Sequence, residues 1–195
     1  MKNIGLTGGI GSGKSYIAKV FEALDIPVFY ADNEAKKILN EPQNIINVSE
    51  VLQTNIIDPA TGLANRKKIA SIVFNDPEKL KLLNQIIHPA VEQNFIIWCA
   101  NHAQKKYVIK EAAILFESGS YKKLDGVICV VSPLELRLKR LAIRDNEPEA
   151  EILKRINNQW SDEQRVALSN WVIHNDEQSP VLSQVLLVHQ KIITL

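Results

Sequence analysis

The sequence predicts an α/β fold on a parallel sheet, and three observations carry that expectation. Apolar run, helical pattern, apolar run and helical pattern follow one another within Lys2–Leu39, the order of a βαβ unit. Three more short apolar runs occur later, two of them followed by a helical pattern. Five of the eight glycines lie between Gly5 and Gly13, where the first run ends and the first helical pattern begins.

Each element has its own justification. Lys2–Thr7 is apolar and stopped by glycines, as a buried strand is. In Lys14–Leu24, Ile17, Val20, Phe21 and Leu24 share one helical face. Pro27–Ala31 reads as a second strand, with Asp32 placed to cap a helix Asn33–Leu39. The middle is mostly helical. Gln43–Gln53 fits a helix, and Asn55–Asn65, with Pro59 and Gly62, fits a loop. Arg66–Phe74 and Pro77–Ala100 fit helices, the second with Leu83, Ile87, Val91 and Phe95 four apart; Pro89 predicts a kink or break near His88, which is expected to be exposed. Lys106–Lys110, Gly126–Val131 and Trp171–His174 are the remaining strands. Pro133–Arg144, with proline in its first turn, Glu147–Gln159 and Pro180–Ile193 are the remaining helices.

Composition narrows the classes. The chain has 195 residues, 46% hydrophobic and 23% charged, which suits one folded domain with or without a small insertion. The longest apolar runs, such as Phe95–Ala100 and Val181–Val188, fall far short of the ~18 residues of a membrane span. The start, MKNIGLTGG, has no apolar signal core, so a cytoplasmic protein is expected. Net charge is +1, which indicates no general nucleic-acid coat. Cys99 and Cys129 lie in apolar stretches and read as two buried thiols of a reducing compartment.

Gly8-Gly9-Ile10-Gly11-Ser12-Gly13-Lys14-Ser15 fits the pattern G-x-x-x-x-G-K-[ST]. Glycines let the backbone curl so that successive N–H groups point at phosphate oxygens. The helix opening at once directs its positive end at the same anion. Lys14 reaches β- and γ-phosphates, and the Ser15 hydroxyl can ligate Mg²⁺. The match places the chain among P-loop nucleotide binders.

Five of the six arginines lie between Arg137 and Arg165. On the helix Pro133–Arg144, Leu134, Leu138 and Leu141 form the expected apolar stripe, with Arg137, Arg140 and Arg144 about a quarter-turn away. Guanidinium forks bind phosphate and offset charge as phosphoryl transfers. Solvated ion pairs are the alternative, and Glu151 with Arg155 has the spacing for one. Beside a P-loop, a mobile arginine-bearing lid is the better reading. Asp32 follows the second strand, where α/β sheets bind ligands, and suits a base, an orienting group or an outer ligand of Mg²⁺. Glu111 and Glu117 both follow the third strand, and spacing does not separate their roles.

These segments together resemble the dephospho-CoA kinase family over nearly the whole chain. IGLTGGIGSGKS looks like that family's P-loop. VFYADNEAKKIL resembles its aspartate-alanine-aspartate segment, with Asp32 at the second aspartate. NRKKIASIVFNDPEKLKLLNQIIHPAV resembles its arginine-to-His-Pro block through Arg66, His88 and Pro89. EAAILFESG places Glu117 at its glutamate. RLAIRDNEPEAEILKRINNQW resembles its lid through Arg140, Arg144, Asp145, Arg155 and Gln159, and WVIHN its late strand through Asn175. Tyr30, Ala113, Arg165 and Ser169-Asn170 depart from the usual pattern.

The resemblance implies a P-loop NTPase of the nucleoside-monophosphate-kinase-like kind: a five-stranded parallel sheet flanked by helices, a helical acceptor domain and a lid. The expected core is 1–31, 106–144 and 170–195, the acceptor insertion 32–105 and the lid 145–169. The implied reaction is ATP-dependent phosphorylation of the ribose 3′-hydroxyl of dephospho-CoA, the last step of coenzyme A synthesis, with Mg²⁺. Catalysis falls to Asp32, Lys14, Arg140 and Arg144. The nucleotide falls to Gly8, Gly9, Gly11, Ser12, Gly13, Lys14, Ser15, Tyr16, Arg140 and Asn175. The acceptor falls to Asp32, His88, Glu117 and Arg66, and the metal to Ser15 and Asp32. The partner is a small-molecule acceptor, with no nucleic acid or membrane, and the protein a monomer or weak homo-oligomer. A kinase of another small acceptor, a nucleoside monophosphate or shikimate, is the nearest alternative. A P-loop regulator is the other, although the guanine-reading tetrapeptide of GTPases is missing after the fourth strand, where Val131-Ser132-Pro133 stands.

Overall fold

Buried parallel strands are apolar on both faces, and here they form the five-stranded sheet that the sequence predicts. The structure, a computed structural model, describes residues 1–73 and 76–194. Strand β1 (Lys2–Thr7) leads into helix α1 (Lys14–Ala23), then β2 (Val28–Tyr30). Strands β3 (Tyr107–Glu111), β4 (Gly126–Val131) and β5 (Trp171–His174) complete the sheet. Its order is β2-β3-β1-β4-β5, all parallel, with Ile4 registered on Ile109 of one neighbour and Gly126 of the other. The chain leaves β1 toward β2 and leaves β4 toward β5. Strand order therefore reverses between β1 and β4, and ligand crevices form beyond the carboxyl ends at such a point.

Two compact units are present: Met1–Tyr30 with His102–Leu195, and Ala31–Asn101. The first contains the sheet. Ile4, Leu6, Ile17, Phe21, Tyr107, Ile109, Ile128 and Ile173 are its core, and Val185, Val188 and Ile192 close it from the last helix. Four more helices complete this unit beside α1. They are α6 (Leu134–Asp145), α7 (Glu149–Asn157), α8 (Asp162–Ala167) and α9 (Val181–Thr194). The second unit holds α2 (Ala31–Leu39), α3 (Pro42–Val51), α4 (Arg66–Val73) and α5 (Pro77–Ala100). Its own core is Ile45, Val48, Leu52, Ile56, Ala64 and Ile69. Asn94 of α5 donates to Glu34 of α2 at 2.9 Å. Among the described residues, no helix is long and apolar enough to cross a membrane.

Several expectations need correction. Asp32 does not cap α2, because the helix already starts at Ala31 and Asp32 lies in its first turn. Helix α5 is not broken at His88. Pro89 is accommodated inside it, Asp76 caps its start from the side chain, and His88 is half-buried. Proline removes one ladder bond, and burial of Ile87, Val91 and Phe95 outweighs that loss. The polar helix after α6 is shorter than expected, and α8 is an additional helix, opened by a capping box between Ser161 and Gln164. On α6 the buried residues are Leu141 and Arg137, while Leu134 is 49% exposed. Glu151 pairs with Lys154, not Arg155. Cys129 is buried but Cys99 is only half-buried, and neither is in a disulfide among the described residues. Phe74, the expected end of α4, lies outside the described residues.

Candidate nucleotide site

The residues between β1 and α1 are shaped by close approach. A Cβ on Gly8 would strike the Val130 carbonyl of β4, and one on Gly9 the guanidinium of Arg137. Gly13 precedes α1 in the left-handed region, with φ 94°, and a Cβ there would strike the Asn175 amide. Among the described residues no side chain caps α1. A helix start leaves its first amides without intrahelical carbonyl partners, and such a start is a site for an anion. Ser12 is fully buried, and its hydroxyl oxygen has no hydrogen-bond partner among the described residues. Lys14 Nζ lies over the loop, donating to the Gly8 carbonyl at 3.0 Å. Glycines without room for a Cβ, a helix start, a lysine and a buried hydroxyl fit a polyphosphate. Ser15, exposed in the first turn of α1, supplies one hard oxygen ligand. Among the described residues no group of three His, Cys, Asp or Glu side chains is arranged for a metal.

Beside this loop lies a cavity of about 520 Å³ lined by Gly13, Tyr16, Arg140, Asn175, Glu177 and Pro180 among others. Asn175 is held by both backbone and side chain: its N–H donates to Val131 at 2.9 Å, and its Nδ2 to the Ser12 carbonyl at 2.8 Å. Arg140 donates to Ser132 Oγ at 3.0 Å, the Asn175 carbonyl at 3.3 Å and Glu177 at 2.9 Å. Asp176 accepts from the Gln178 and Ser179 amides, and those bonds hold its carboxyl down at about 2. This fixes the lip of the cavity as a tight turn. Sequence reasoning placed Tyr16, Arg140 and Asn175 at the nucleotide, and all three line this cavity. It missed Glu177 and the turn beyond it, for which the sequence offers only a polar stretch ahead of Pro180.

The arginines divide by burial. Arg137 is nearly inaccessible; it donates to the Ile10 carbonyl at 2.9 Å and Asp162 at 3.2 Å. Burial pulls its pKa down, with Asp162 opposing. Arg165 is fully buried and pairs with Glu117 at 3.0 Å and Asp162 at 3.3 Å. Glu117, expected at the acceptor, thus accepts from Arg165 and from the Trp160 amide at 3.3 Å. Arg144 is exposed and forked onto Asp145, which also accepts from Arg155 at 2.8 Å. The Arg144 fork, with Arg155, lowers the Asp145 carboxyl to about 2. Gln159 accepts from the Ile10 amide at 2.8 Å. Burial pushes the Cys129 thiol up to about 11. Glu111 ends β3 buried, registered on Leu6 and Tyr30, whose hydroxyl burial and nearby Glu22 raise to about 12.

Asp32, Arg66 and His88 belong to the helical unit. Asp32 is half-buried in the first turn of α2, two residues past the carboxyl end of β2. Arg66 is exposed as the first residue of α4, and His88 lies within α5.

A family model described as dephospho-CoA kinase matches residues 2–180. The chain belongs to the dephospho-CoA kinase family. A dephospho-CoA kinase of Chlorobaculum tepidum is 39% identical over 98% of this chain and 95% of its own length. One from Bacteroides fragilis is 34% identical over 97% and 94%. Among solved structures, a Thermus thermophilus protein aligns with TM-score 0.86 at 28% identity, covering 97% of this chain and 96% of its own. A Campylobacter jejuni dephospho-CoA kinase gives 0.70 at 26%, covering 98% and 97%. A shikimate kinase from Acinetobacter baumannii gives 0.55 at 16% identity, covering 100% and 94%, a likeness of fold alone. In this dephospho-CoA kinase family member, both the P-loop and the Asn175 strand end fall inside the matched span.

Proposed function

We infer that the chain transfers the γ-phosphoryl group of ATP to the ribose 3′-hydroxyl of dephospho-CoA, giving coenzyme A and ADP. The observation that carries this reading is the Gly8–Ser15 loop, formed without room for Cβ atoms and opening a helix, in a chain matched to this kinase family over residues 2–180. The loop amides and Lys14 hold the β- and γ-phosphates. Tyr16, Asn175 and Arg140 border the nucleoside, in the 520 Å³ cavity beside the loop. Ser15 and Asp32 would hold Mg²⁺. Mg²⁺, when bound, offsets phosphate charge. Asp32 accepts the hydroxyl proton as the ribose oxygen bonds to the γ-phosphorus and the bond to the bridging oxygen of ADP breaks. Arg140 and Arg144 offset the charge of the moving phosphoryl group. Arg66, His88 and Glu117 serve the acceptor side. Segment 32–105 acts as the acceptor part and 145–169 as the lid. Two cysteines outside any disulfide among the described residues fit a reducing, cytoplasmic setting.

The test is ADP release from Mg-ATP with dephospho-CoA, adenosine, AMP, CMP and shikimate in turn. Turnover with dephospho-CoA alone is expected; turnover with a different acceptor alone overturns the acceptor assignment. Lys14→Ala and Asp32→Asn should each lower kcat at least tenfold with the fold intact, about 1.4 kcal/mol or more of transition-state stabilisation. Near-normal kcat in Asp32→Asn removes the proposed base.

A further inference from the structure

Both backbone groups of Ile10, in the P-loop, are held by side chains from elsewhere in the chain. Its N–H donates to Gln159 Oε1 at 2.8 Å, and its carbonyl accepts from Arg137 Nε at 2.9 Å. The two grips come from different elements. Arg137 lies on α6; Gln159 follows α7, directly ahead of α8. Helix α8, just beyond Gln159, is tied to α6, because its Asp162 accepts from both Arg137 and Arg165. Arg165 is fully buried and bonds to Glu117, which also accepts the Trp160 amide. Trp160 in turn stacks on Phe116 at 6.1 Å. The segment 159–165 is therefore anchored on the residues after β3 and reaches the tip of the phosphate loop. A guanidinium seated where a Cβ on Gly9 would be also braces the loop from behind.

We propose that Gln159 and Arg137, the latter held by Asp162, are positioning residues for the nucleotide: they preset the P-loop tip for phosphate. This rests on the nucleotide reading of residues 8–15 and not on the identity of the acceptor. Two consequences follow. The Ile10 amide is committed to Gln159, so phosphate binds to amides later in the loop. Affinity for the nucleotide depends on the 159–165 segment, although neither Gln159 nor Arg137 lines the cavity beside the loop. A preset loop needs no ordering when the anion arrives, which is how preorganisation raises affinity.

Gln159 is only half-buried, so Gln159→Ala is the variant of choice. Calorimetry with MgADP, steady-state kinetics and hydrogen exchange at the Ile10 amide are measured on the full chain. Gln159→Ala should weaken MgADP about tenfold and raise KM for ATP to a similar degree. KM for dephospho-CoA should stay within about twofold, and the Ile10 amide should lose its protection. Gln159→Glu keeps an acceptor oxygen and should recover most of the MgADP affinity. Arg137→Lys, which keeps charge but loses the fork, should act in the same direction as Gln159→Ala. Unchanged MgADP affinity in Gln159→Ala overturns the proposal. So does an equal rise in both KM values alongside a lower Tm, which is what general loosening would give. A wild-type chain that binds no MgADP overturns the nucleotide reading itself, and is seen before any variant is made.

Discussion

Gly13→Ala isolates the geometry on which the phosphate loop depends. Gly13 has φ 94°, and a Cβ would collide with the Asn175 amide, which bonds to the Ser12 carbonyl at 2.8 Å. Left-handed backbone costs a non-glycine residue about 1–2 kcal/mol. Displacing Asn175 strands a buried carbonyl, a further ~1–3 kcal/mol. Reduced freedom of the unfolded chain returns roughly 0.4–1 kcal/mol. The net loss is about 2–4 kcal/mol, a large part of a typical ~5–15 kcal/mol. At roughly 2–4 °C per kcal/mol for a chain of this size, Tm should fall by about 4–16 °C. Urea unfolding of Gly13→Ala, Asn175→Ala and the double variant separates the terms. Without the Asn175 side chain the collision disappears, so the double variant should be about 1–3 kcal/mol more stable than additivity requires. Strict additivity would refute the steric argument and leave backbone strain alone.

Thiol chemistry and acid stability follow from the same structure. An aryl disulfide reagent should modify Cys99 readily and Cys129 only on unfolding, since Cys129 is inaccessible and its thiol is pushed up to about 11; rapid loss of two thiols from the folded chain would contradict that burial. Asp145 is lowered from 3.8 to about 2 by Arg144 and Arg155, so its stabilising pairing is complete above pH 3.8 and is lost as pH falls through about 2. Denaturant titrations across that window should show a loss of stability that is smaller in Asp145→Asn, and identical acid profiles would refute the pairing.

The sheet was legible because strands buried on both faces write their apolar runs directly into the sequence. Lys2–Thr7, Gly126–Val131 and Trp171–His174 are observed with the expected bounds. The phosphate loop was legible for a related reason: its glycines answer to local backbone demands. The short α8 was not, because six residues carry too little periodicity to stand out. Asp32 was misread as a cap, since the aspartate one residue inside a helix and the one at its cap differ only in backbone angles. Pro89 suggested a break that tertiary packing overrides.

Helix α6 shows most clearly where local reading ends. Periodicity puts Leu134 in the apolar stripe and Arg137 outside it, whereas the structure leaves Leu134 exposed and buries Arg137. Burial of a guanidinium is costly unless charge and donors are both answered, and Asp162 answers them 25 residues away, on a helix invisible to the pattern. The stripe of three arginines then divides along its length. Arg137 has 7% of its side chain exposed, Arg140 27% and Arg144 58%. Coulomb attraction is screened least at the buried end and most at the exposed end. The same residue type at the same helical spacing therefore serves three purposes. Arg137 fixes a loop carbonyl, Arg140 borders the cavity while tied to Glu177, and Arg144 holds an exchangeable fork on Asp145. Of the three, the exposed Arg144 fork changes partners at the least cost.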